Sequence, residues 1–217
     1  MTDTFVMSTR TDAAAPIRNE PVQARSTARL AALLDAAARV IDEIGYERLT
    51  TAMVAEGAGA SIGTVYRYFP DRIAVLQSLA ARNAERIGEL ALAELKDGGD
   101  GTWRSAFLAG FEVFTTAFRS EPGFAALRFG DVLDLRPFAG IPALRAFSDR
   151  AAVTMVKRFG MTDSQEARLT LQSVLTLADA IAADAFQRDP HGDPVILHHA
   201  MSAANSLLSE YFPDSSR

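Results

Sequence analysis

Between Thr51 and Arg72 the sequence TAMVAEGAGASIGTVYRYFPDR gathers side chains suited to gripping a nucleic-acid duplex. The Arg67 guanidinium matches O6 and N7 of guanine in a bidentate pair, which contributes about 1–3 kcal/mol of discrimination against other bases. Thr64 offers a methyl group to thymine or a hydroxyl to phosphate. Tyr66 and Tyr68 offer hydroxyls to phosphate oxygens and rings to the sugars. Gly63 lets the backbone come close. Thr51 and Arg72 are placed to set register on phosphates, the contacts that position a protein without reading sequence. Val65 and Phe69 are expected in the core instead. No other chemistry competes: there is no G-x-S-x-G, no H-E-x-x-H and no phosphate loop. His191, His198, His199 and Asp193 match no metal-ligand spacing, and cysteine is absent. No enzyme, metal or cofactor is expected.

These groups need two short helices to hold them. A threonine pair, Thr50 and Thr51, opens the first, and Met53, Val54, Ala55 and Ala58 give it an apolar side. Gly59 ends it, where positive φ costs glycine least. Ser61 can cap the second helix by accepting a backbone N–H. That helix runs from Ile62 to Tyr68, and Pro70 bars its continuation. Two short helices joined by a tight glycine-containing turn form a helix-turn-helix, which places its second helix in the major groove. Upstream, Leu30, Leu33, Leu34, Ala37, Ile41 and Ile44 repeat at helical spacing and predict a helix over 25–44 ended by Gly45. Downstream, Asp71 is a good cap for a long helix over 72–95.

The segment LTTAMVAEGAGASIGTVYRYFPDR resembles the helix-turn-helix of the tetracycline-repressor (TetR) family of bacterial regulators, through Thr51, Ala55, Gly59, Ser61, Gly63, Thr64, Tyr66, Tyr68, Phe69 and Arg72. Ile62 departs from the pattern, because many relatives carry Lys or Gln there. The resemblance implies a DNA-binding set of Arg25, Thr51, Ser61, Ile62, Gly63, Thr64, Tyr66, Arg67, Tyr68 and Arg72. Arg25 lies near the start of the first helix, where relatives often touch a phosphate. It also implies a homodimer through the last two helices and a small effector, which an aromatic pocket would make hydrophobic. One motif reads few bases, and a dimer on a palindromic double-stranded operator supplies two, about 34–36 Å apart.

The rest of the chain reads as helices alone, over about 102–119, 122–134, 142–159, 163–188 and 193–211, with Thr162 or Asp163 capping the fourth. The expected fold is all-α with about nine helices. A disordered arm (1–24) precedes a three-helix head (25–70) and a helical effector-binding and dimerisation domain (71–217). Trp103, Phe107, Phe111 and Phe114 recur at helical spacing and bear on the pocket the resemblance implies. Arg128, Asp131, Gln172, Thr176 and Asp179 are candidate polar liners. The bland alternative for each aromatic is core.

Composition sets the outer limits. The chain has 217 residues and a net charge of −5. Residues 18–72 carry seven arginines and seven acids, so the head is neutral and the acidity lies beyond it. No stretch approaches the ~20 uninterrupted apolar residues of a membrane span. The N-terminus has no signal-peptide core, so a cytoplasmic protein is expected. A ligand-responsive repressor is the leading expectation. An effector-independent activator or DNA-binding protein of the same fold, or a small all-α enzyme, are the alternatives.

Overall fold

The computed structural model describes residues 24–127 and 143–213. Among them are nine α-helices and no strand: α1 (Ala24–Ile44), α2 (Thr51–Gly57), α3 (Ile62–Tyr68), α4 (Arg72–Asp97), α5 (Trp103–Ser120), α6 (Phe124–Leu127), α7 (Ala143–Phe159), α8 (Gln165–Arg188) and α9 (Pro194–Leu208). Short 3-10 turns follow α1 (Tyr46–Arg48) and α9 (Ser209–Tyr211). The expected arm, the side chain of Arg25, Arg128, Asp131 and most of the helix expected over 122–134 lie outside the described residues.

Local chemistry sets the helix ends. Asp71 accepts the Ala74 amide at 2.9 Å and so caps α4. Asp193 caps α9 ahead of Pro194, whose missing N–H is harmless in the first turn. The cap of α8 is Ser164, not Thr162 or Asp163: its hydroxyl accepts the Ala167 amide at 3.1 Å. Asp163 is engaged elsewhere, holding the Arg168 guanidinium at 2.6 and 2.9 Å.

Two interiors result. Leu33, Ile41, Val54, Val65, Phe69, Leu76, Leu79 and Leu127 pack the first, so α1, α2, α3, the start of α4 and α6 share one core. The second joins α4, α5, α7, α8 and α9 through Leu92, Trp103, Phe107, Met155, Leu171 and Leu208. A smaller aromatic group beside it edges Phe114 against Phe118 and Phe124, and stacks Phe118 on Phe186 at 4.6 Å. Arg158 closes the far end of α4 by donating to the carbonyls of Leu95 and Gly98.

By length and composition α8 could cross a membrane, with a hydropathy of 1.3 in its most apolar window, yet only 28% of that window is buried. Leu169 and Leu177 on α8, and Val195 and Leu207 on α9, are exposed.

Candidate nucleic-acid interface

The site is built from α2, α3 and the turn between them. Thr50 is the residue that caps α2, its hydroxyl accepting the Met53 amide at 3.2 Å. Gly59 turns the chain with φ of 56°, and nothing lies near where its Cβ would be. Ser61 then caps α3 by accepting the Thr64 amide at 3.2 Å, and its hydroxyl meets that of Thr64 at 3.0 Å. From α1, Arg39 donates to the carbonyl of Gly57 at the end of α2.

Helical phase divides α3 in two. Val65, Tyr68 and the following Phe69 are buried, at 0, 3 and 0% exposure. Ser61, Ile62, Gly63, Tyr66 and Arg67 are exposed on the other side, and Thr64 is intermediate. Thr51 donates its hydroxyl to that of Tyr66 at 3.3 Å, which ties the start of α2 to the outer face of α3. The outer face thus presents an aliphatic group, bare backbone, a phenol and a guanidinium along one short rod. Such a rod fits the major groove, and its components can respectively meet a methyl group, approach closely, touch the backbone and read guanine.

Two expected DNA ligands, Tyr68 and Arg72, have partners within the chain, and a third, Arg25, is not described at its side chain. Tyr68 is an inward residue. Its hydroxyl lies 3.0 Å from that of Ser26 and within reach of the Ser26 carbonyl, so it fastens α3 to the start of α1. The reason is phase, since residue 68 follows Val65 by three and so shares its face. Arg72 is half-buried, and donates to the carbonyls of Glu47 at 2.6 Å and Tyr46 at 3.3 Å. Through Nη1 it clips the turn after α1 in place. Arg25 lies in α1, but its side chain is outside the described residues.

A cavity of about 50 Å³ lies in the second interior, between α4, α5, α7 and α8. Its wall is almost wholly carbon. Phe107, Phe111 and Phe114 line it as expected, together with Ile87, Gly88, Gly110, Phe147, Met155 and Leu175 among others. Trp103 does not. It stacks on Phe212 at 4.4 Å and 7°, with the Arg104 guanidinium on its ring. Gln172 and Thr176 are also absent from the wall, because α8 turns Leu171, Leu175, Ala178 and Asp179 toward it instead. Thr176 is exposed and donates to the carbonyl of Gln172. Asp179 is the one acidic residue in the wall among the described residues. The contribution of α7 and of the two glycines went unpredicted. An isolated glycine inside a helical pattern was the available signal.

Comparison with known proteins agrees with both halves. Residues 33–79 match the model of the bacterial regulatory proteins, tetR family, and residues 101–212 match a tetracyclin repressor-like C-terminal domain. The HTH-type transcriptional regulator AlkX of Mycobacterium tuberculosis is 28% identical over 176 residues, covering 79% of this chain and 83% of that one. A TetR-family transcriptional regulator from Streptomyces coelicolor superposes with a TM-score of 0.71 at 29% identity, over 85% of this chain and 97% of that one. SmeT, the repressor of a multidrug efflux pump of Stenotrophomonas maltophilia, shares the fold with a TM-score of 0.58 at 20% identity, over 86% and 91% of the chains. It has also been solved in complex with triclosan.

Proposed function

Because the chain belongs to the TetR family of bacterial transcriptional regulators, which bind DNA through a helix-turn-helix and are not enzymes, we propose that it is a homodimeric repressor released from a palindromic operator by a small hydrophobic effector. One observation carries the DNA-reading part: Ile62, Gly63, Tyr66 and Arg67 form an exposed strip on α3, backed by the fully buried Val65 and Phe69. A rigid back and a chemically varied front are what a reading helix requires. In this reading Arg67 contacts a base, Thr51, Thr64 and Tyr66 face the backbone, and residues 25–70 form the head that residues 71–217 carry in the cytoplasm.

Dimerisation is supported by the apolar faces of α8 and α9. Leu169, Leu177, Val195 and Leu207 are between 40 and 63% exposed on these two helices. A second copy covering these faces would remove that apolar surface from water. Effector control is supported by the carbon-lined cavity. A ligand acts on the operator only through unequal affinity for two conformers. A cavity this small must widen to admit one, and α4 supplies part of the wall that widening would press on. The same small volume favours a second reading, an effector-independent regulator of this fold.

Selection of duplexes from a random DNA pool by the full-length chain tests the proposal. The expected product is an inverted repeat, and Arg67→Ala should relax preference at one base pair per half-site by about 1–3 kcal/mol. An enriched site without two-fold symmetry would remove the dimer. On the enriched site, a panel of apolar compounds that leaves affinity unchanged would decide for the effector-independent reading.

A further inference from the structure

We infer that Ile62 is a specificity determinant, reading the C5 methyl group of one thymine in each half-site; this rests on the DNA-reading role of α3 proposed above. Ile62 is the first residue of α3, immediately after the Ser61 cap, and is 43% exposed. It lies one helical turn before Tyr66, on the same exposed strip of α3, and flanks buried Val65. Base contacts of a helix-turn-helix are made by the first residues of its second helix. Ile62 therefore stands at the end of α3 that goes deepest into the groove.

Its neighbours leave that role to an apolar contact. The hydroxyls of Ser61 and Thr64 lie 3.0 Å apart and are engaged with one another. Gly63 has no side chain, and a Cβ built there would meet nothing nearer than the Ser61 hydroxyl at 3.9 Å. Ile62 is thus followed by bare backbone and is itself exposed, and its side chain has no donor or acceptor. On the major-groove edges of the four base pairs, only thymine carries an apolar group, its C5 methyl. The isoleucine is also stiff, because branching at Cβ leaves one strongly preferred χ1 rotamer in a helix. Its methyl groups are therefore presented in a fixed direction before DNA arrives. Against a polar base edge, the same side chain would strip water from donors or acceptors and return no hydrogen bond. Ile62 thus acts in both senses, favouring thymine and disfavouring the other bases at that position.

The test uses the full-length chain and a duplex enriched from the random pool. Each thymidine of one half-site is replaced in turn by deoxyuridine, which removes the methyl group and keeps base pairing and O4. One replacement is expected to weaken binding of the natural chain by about fourfold, the equivalent of one buried methyl-sized group. The same replacement should leave binding by Ile62→Ala unchanged, while Ile62→Val keeps most of the discrimination. Ile62 is a surface residue, so both variants should fold, which circular dichroism checks. An enriched duplex on which no deoxyuridine matters overturns the inference and leaves DNA reading by α3 standing. A deoxyuridine penalty that persists in Ile62→Ala also overturns it, assigning the methyl contact to another side chain. A pool that shows no enrichment overturns the inference together with the proposal beneath it.

Discussion

Along α4, residues 74–80 and residues 87–95 meet two different interiors. From Ala74 to Ala80 every residue is buried, and the side chains around them are closed to solvent: Leu33, Val54, Val65, Phe69, Leu76 and Leu79 are all 0% exposed. From Ile87 to Leu95 the helix has an exposed side, which includes Leu90, and an inner side of Ile87, Gly88, Ala91 and Leu95 that borders the cavity. One interior is packed like a crystal of small molecules and resists displacement. The other has a cavity with a wall of aromatic rings. The contrast locates rigidity where DNA is read and adjustability where α5, α7 and α8 meet.

The largest expected effect is in the packed interior. Phe69→Ala should destabilise the chain by about 3–5 kcal/mol and abolish DNA binding, as chemical denaturation and a binding assay would report. Phe111→Ala removes the same ring from the half-buried cavity wall and should be milder. Equal losses would erase the distinction between the two interiors. Next comes Tyr68→Phe, which deletes the hydroxyl bonded to Ser26 and should cost about 0.5–1.5 kcal/mol of stability, with base preference and salt dependence of DNA binding intact. A flatter salt dependence would instead return Tyr68 to the phosphate backbone. The smallest effect has the opposite sign. Gly88→Ala should stabilise by about 0.5–1 kcal/mol, because glycine inside a helix is costly. The new Cβ would sit 3.5 Å from Phe147, an ordinary contact. A lower midpoint in denaturant would mean that the cavity wall has no room to spare.

The head was legible in the sequence because its rules are local. Gly59, Ser61, Pro70 and Asp71 each act within a few residues, and they place α3 at Ile62–Tyr68 as expected. The inward phase of Tyr68 was already present in the sequence. Its hydroxyl pointed to phosphate, whereas its spacing from Val65 places its ring on the buried side. Arg72 was harder, because its carbonyl partners belong to a turn of the backbone that composition does not reveal. The cavity was legible only in part. Helical spacing along α5 brought Phe107, Phe111 and Phe114 to one wall, whereas Trp103 is drawn away by Phe212, a residue at the far end of the chain. Polarity misled at Gln172 and Thr176, since which side of α8 faces the cavity depends on how α7 and α9 pack against it. Asp179, considered on the same grounds, does line it.

The unbroken course of α4 has a geometric consequence. Ala91 touches the cavity and Ala74 lies in the core that α4 shares with the head, and at 1.5 Å per residue they are about 25 Å apart along one stiff axis. Pivoting that axis by about five degrees at Ala91 carries Ala74 through roughly 2 Å. That distance separates a hydrogen bond from no bond at all. A change of angle too small to disturb the packing of the body is therefore enough to take a base contact out of range.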